Sequence, residues 1–155
     1  MGDVHDSEVV SVKVKRTERG WGGHFCLGQY CRFRRNTLLE AGDTRLVIST
    51  VGNCYPPSVK DEDTPYVLSY GLVSGKAVYE TKIFHAQKEG PYWDADVGKE
   101  VSSPIDRYVY VGKDGPWEGI DEDANDMHER TVKQFQRELA KCETFPVTEE
   151  EEYEW

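Results

Sequence analysis

Three carboxylates stand at a spacing that could do chemistry. Asp94 and Asp96 alternate within Tyr92–Val97, a run that reads as a strand, so both fall on one face. Glu80 lies on the strand expected to pair with it. Three acids on one sheet face could hold Mg²⁺ or act as acid and base in a hydrolase or nuclease. The competing expectation is a solvated polar face opposite Trp93, Ala95 and Val97. Arg32, Arg34 and Arg35 form the main basic cluster, with Trp21 in the neighbouring loop Gly20–Gly23. Guanidinium forks match phosphates and carboxylates, so this group could line a nucleotide or anion pocket. No P-loop or dinucleotide fingerprint accompanies it, and pairing with Glu18 or Glu40 would also account for the arginines.

His24, Cys26 and Cys31 are close enough in sequence to suggest zinc, but the other ligands would have to come from Cys54, Cys142 or His85. With no CxxC pair, ordinary buried cysteines are expected and no metal or other cofactor is assigned. A cysteine nucleophile would need a base and a residue orienting that base. His24, His85 and His128 are available, and no local signature selects one. Tyr66, Tyr70 and Trp117 sit in expected loops, where aromatics serve as interface anchors.

The elements that must position these residues read as strands first and a helix last. Val9–Arg16 alternates apolar and polar residues. Cys31–Asn36 and Thr44–Val51 form a hairpin across Glu40–Thr44, and Ala77–Ala86 and Tyr92–Val97 form a second across Lys88–Pro91. Asn53–Gly75 carries three of the seven prolines and the acids Asp61, Glu62 and Asp63, which reads as a long surface loop. Asp121–Asp123 begin a helix on which Ala124, Met127, Val132, Phe135 and Leu139 share one face. The expected fold is α+β: an antiparallel sheet of two hairpins plus an N-terminal strand, covered by one C-terminal helix. Residues 1–142 would form a single domain, and 143–155 an acidic, disordered tail.

Length and charge bound the rest. A chain of 155 residues, 37% apolar, supports one core. No apolar run approaches the ~20 residues that span a bilayer, and the first residues lack the regions of a signal peptide. A cytoplasmic protein with reduced cysteines is expected. The net charge is −10, and residues 143–155 hold six glutamates and no Lys or Arg. Without them the 29 acids fall to 23 against 19 bases, a body charge of −4. Such a balance disfavours direct nucleic-acid binding and points to a basic partner. Glu149, Glu150, Glu151 and Glu152, the densest charge, are the natural steering residues.

The run Arg19–Gly52 (RGWGGHFCLGQYCRFRRNTLLEAGDTRLVISTVG) resembles a family of short bacterial and phage proteins, as do YETKIFHA (Tyr79–Ala86), YWDADV (Tyr92–Val97) and ANDMHE (Ala124–Glu129). No catalytic motif comes with the resemblance. It implies a context: small acidic phage proteins without enzymatic motifs are often inhibitors of host defence systems, including anti-CRISPR proteins. The leading expectation is a non-enzymatic inhibitor that occupies a basic surface on a host nuclease or nucleoprotein complex. Its contacts would be the acids and aromatics just named. Its rivals are a nucleotide-binding sponge or sensor built on Trp21, Arg32, Arg34 and Arg35, and an Mg²⁺-dependent hydrolase.

Overall fold

The computed structural model describes residues 12–19, 31–54, 77–103, 105, 107–110 and 120–148, without the side chains of 31, 32, 53, 54, 77, 78 and 120. Among these residues six strands form one antiparallel sheet: β1 (Lys15–Glu18), β2 (Cys31–Ala41), β3 (Thr44–Cys54), β4 (Ala77–Glu89), β5 (Tyr92–Glu100) and β6 (Tyr108–Tyr110). One helix, α1 (Ile120–Ala140), packs on it. This is the expected α+β arrangement, with both hairpins in place. Each turns on a glycine, Gly42 at φ 58° and Gly90 at φ 57°. A positive φ at the first of two turn residues suits the right-handed twist of the paired strands.

The spatial order is β1-β2-β3-β4-β5, and β6 also pairs with β4. The outer edge of β4 is therefore served twice: β5 pairs with its second half and β6 with its first. Between them the chain leaves the sheet at Val101 and returns at Arg107, each still bonded to the β4 backbone through Ile83 O and Thr81 N. The three-residue β6 was not expected from the sequence.

Strand alternation puts Leu39, Leu46, Ile48 and Ile83 on the face that α1 covers with Val132, Phe135 and Leu139. The opposite face is buried too, at Leu38, Val47, Val51 and Phe84. Two buried faces explain why Leu46–Ile48 reads as a continuous apolar run rather than an alternating one. Residues 143–148, read from composition as the start of the tail, lie against the sheet. Phe145 stacks on Phe135 at 5.8 Å, Val147 bridges Val101, and Thr148 N donates to Glu100 O. Residues 149–155 lie outside the described ones. Among the described residues no helix is long and apolar enough to cross a membrane.

Candidate functional site

α1 carries polar groups into two places, one along each half of its length. The first is centred on His128, fully buried on the stripe that faces the sheet. Register brings it three threonines: Thr50 pairs with Thr81 across β3 and β4, and Thr37 lies opposite Glu18 across β2 and β1. Thr37 donates its one hydroxyl proton to Glu18 Oε2 at 2.7 Å, so it accepts from His128 Nε2 at 2.7 Å. His128 Nδ1 is then bare and accepts from Thr50 at 2.7 Å, and Thr50 accepts from Thr81 at 2.5 Å. The hydrogen bonds run in one direction across four strands, from Thr81 to the Glu18 carboxylate, and they fix the Nε2–H tautomer.

An ion-pair rim closes this centre. Glu129 accepts from Arg16 Nη2 at 2.7 Å and from Arg35 Nη1 at 2.9 Å. Arg35 also binds Asn125 Oδ1 at 2.7 Å and lies 3.2 Å from Glu18, which Arg16 Nε reaches at 2.7 Å. The hydrogen bond from Arg16 outweighs burial and, joined by the one from Arg35, holds the Glu129 carboxyl down at about 2. Burial pushes Glu18 up, but Thr37, Arg16 and Arg35 outweigh it and its value is lowered. Burial, reinforced by the Arg35 charge, depresses His128 to about 4 and keeps it neutral. Two arginines balance two glutamates, and the imidazole and threonine hydroxyls are sealed from solvent. A threonine within hydrogen-bond reach of a histidine base has the form of a nucleophile pair, but no substrate can reach it here.

The second place is a cleft of about 470 Å³ between the C-terminal half of α1 and Ile105, Arg107 and Tyr108. Arg130, Lys133 and Arg137 line it from successive turns, and Arg107 enters from the sheet side. Arg107 is 8% exposed, yet among the described residues its guanidinium meets only neutral acceptors: Ser103 Oγ at 2.9 Å, Ile105 O at 3.2 Å and Gln134 Oε1 at 2.9 Å. Gln134 is oriented for this by donating its own Nε2 to Glu138 at 3.3 Å. The guanidinium also lies 5.6 Å from the Phe135 ring centre. Burial lowers the Arg107 pKa, and the more distant Glu138 charge acts the other way. Among the described residues none of the four cations has a carboxylate at ion-pair distance. Three of the five Arg107 N–H donors are engaged, leaving capacity for an anionic acceptor.

The residues singled out by sequence fall elsewhere. Glu80 is 7% exposed and pairs with Lys82 at 3.2 Å, so it is no part of a solvated face. It stands opposite Val51 and Tyr108, whereas Asp94 stands opposite Gln87, seven residues along β4 and roughly 23 Å away. Asp94 and Asp96 instead cap the local backbone at Ala95 N and Gly98 N. The three carboxylates are not brought together, and no cluster of three metal-binding side chains occurs among the described residues. Arg35 is consumed by Glu18 and Glu129, while Arg34 is exposed on the other face of β2, so the two share no pocket. The side chain of Arg32, and Trp21, His24, Cys26, Asp61, Glu62, Asp63, Tyr66, Tyr70, Trp117 and Glu149–Glu152, lie outside the described residues, while Cys31 stands opposite Cys54 in the β2–β3 register.

Sequence reasoning missed both places. Position 128 does fall on the apolar stripe of α1, and 130, 133 and 137 recur at helical spacing. Arg107 carries no such signal. Three of the four segments quoted above meet at the first place, with Arg35, Thr37 and Thr50 from Arg19–Gly52, Thr81 from Tyr79–Ala86, and Asn125, His128 and Glu129 from Ala124–Glu129, whereas Tyr92–Val97 contributes nothing to it. No family model, curated protein or solved structure matches the chain. Function is therefore argued from the site.

Proposed function

We propose that this is a non-enzymatic binding protein that holds a small phosphorylated ligand in the cleft beside α1, as a sponge or a sensor would. The observation that carries this reading is the Arg107 guanidinium, buried and, among the described residues, without a carboxylate partner, as are the three cations that face it. A buried cation with neutral partners is costly unless an anion completes it. The helix dipole favours Arg137 in the last turn, but it explains neither Lys133 and Arg130 further back nor Arg107 from another segment. The charge of the whole chain adds selectivity: at −10 it repels long polyanions, whereas a small anion experiences the local positive field. The cleft volume suits a ligand of nucleotide or sugar-phosphate size.

The test is calorimetric titration with inorganic phosphate, pyrophosphate and nucleotides at low salt. Binding should weaken as salt rises and be lost in an Arg130→Ala, Lys133→Ala, Arg137→Ala triple variant with an unchanged fold. No binding of any of these anions sinks the reading. A second reading keeps capture of a basic host protein. It is favoured by the exposed acids Asp121, Glu122, Asp123 and Asp126 at the other end of α1, and pull-down of a basic protein lost on their charge reversal would support it.

A further inference from the structure

A smaller cleft, about 230 Å³, opens in the notch where β5 ends and β6 has not begun. It shares Ile105, Arg107 and Tyr108 with the cationic cleft, so the two form adjoining chambers with Arg107 in their common wall. Their linings differ. The cationic chamber offers donors, whereas the notch offers Glu100, Lys82, Ser102 and Thr148, the Ser103 hydroxyl being already used by Arg107 and Ile105. Glu100 Oε1 is held by Lys82 Nζ at 3.0 Å, and its Oε2 makes no hydrogen bond among the described residues. Attraction to Glu100 and Glu80 outweighs burial at Lys82 and raises its pKa, so the pair stays charged.

From this we infer that the ligand is bipartite: a phosphate monoester carried on a polyhydroxylated ring, with the phosphate on Arg107 and the α1 cations and the ring hydroxyls in the notch. A spare carboxylate oxygen accepts from a hydroxyl, and the serine and threonine hydroxyls and the ammonium complete a diol in both directions. Bare inorganic phosphate could use only one chamber. A second phosphate would be rejected from the notch by Glu100, because a carboxylate offers it no proton. The ribose of a nucleotide and the ring of a sugar phosphate share this chemistry, and the inference rests on the phosphate-binding reading above.

The experiment compares inorganic phosphate, ribose 5-phosphate, glucose 6-phosphate, adenosine monophosphate and unphosphorylated ribose by calorimetry on the full chain. At least one hydroxylated phosphate should bind about tenfold more tightly than inorganic phosphate, a gain that one hydrogen bond to a charged group supplies. Preference for adenosine monophosphate over both sugar phosphates assigns a nucleotide, and the reverse order a sugar. Glu100→Gln, which keeps the side-chain shape, should remove that excess; Ser102→Ala, at an exposed position, should reduce it. Equal binding of all the phosphates, or an excess that survives both substitutions, overturns the two-chamber inference and leaves the phosphate site standing. If no phosphate binds, the parent reading fails with it.

Discussion

Along the N-terminal half of α1, two arginines, two glutamates, an asparagine, a histidine and three threonines use up one another's bonding capacity. Along the C-terminal half, four cations line a cleft with no carboxylate at ion-pair distance among the described residues. Both places are polar, and both use the same helix and sheet. One is saturated and closed, so its polarity serves the fold. The other is unsaturated and open, so its polarity is available to a ligand. Bonding capacity left over separates a site from a structural network more sharply than residue type does. A histidine facing threonines looks catalytic by composition, and a scatter of surface Arg and Lys looks like solvent-facing filler.

The contrast predicts opposite responses to mutation. His128→Ala leaves the Thr37 and Thr50 hydroxyls without their partner and opens a cavity, and should cost about 4 kcal/mol by urea unfolding. Arg137→Ala removes an exposed side chain that has no ion pair among the described residues and should change stability by no more than about 0.5 kcal/mol. Similar costs for the two would break the distinction. Glu129→Gln tests the rim. It leaves Arg16 and Arg35 with one carboxylate between them and should cost about 1–2 kcal/mol, less than a fully buried pair because the rim is partly wet.

Acid should act on the first place in two steps. His128 titrates near 6.5 when unfolded and about 4 when folded, so between those values the unfolded chain takes up a proton that the native state refuses. Stability therefore falls as pH drops from 6.5 towards 4, by up to roughly 3 kcal/mol. Glu129, at about 2 folded against 4.5, contributes stability above 4.5 that is lost as pH falls from there towards 2. In a His128→Gln variant the upper step should vanish while the lower one persists. An upper step unchanged in that variant would show that another group carries it.

What the sequence made legible was local. Gly42 and Gly90 mark turns because a positive φ is needed within two residues of each strand end, and the α1 stripe repeats over adjacent turns. What it hid depends on register and distance. His128 meets Thr37 and Thr50 across 91 and 78 residues of chain, contacts that only the assembled strand order creates. Alternation groups Asp94 with Asp96, and the pairing expected of the second hairpin adds Glu80. The irregular pairing between Phe84 and Ala86, and the length of β4, then set them far apart. Arg107 follows a break in the outer strand, and one of its acceptors, Gln134, comes from the helix 27 residues further on.

The smallest effect expected lies where the cationic half of α1 ends. Cys142 has a φ of 57°, the one non-glycine residue with positive φ among those described. Its N–H bonds Leu139 O at 3.0 Å and the next N–H, from Glu143, bonds Glu138 O at 3.2 Å, the paired pattern of a helix closed by a left-handed residue. Glycine is usual there because a Cβ crowds the following carbonyl, at a cost of roughly 1–2 kcal/mol. Cys142 is exposed, so its thiol offers little packing in return. Cys142→Gly should raise stability by about 0.5 kcal/mol, since relief of the backbone exceeds the extra freedom glycine brings to the unfolded chain. Cys142→Ala keeps the Cβ and should change almost nothing, which separates backbone strain from loss of the thiol. Phosphate affinity should be the same in both variants, because the helix end supports Arg137 without contacting the ligand. A Cys142→Gly protein less stable than the parent would show that the thiol side chain, rather than its backbone, holds this end of the helix.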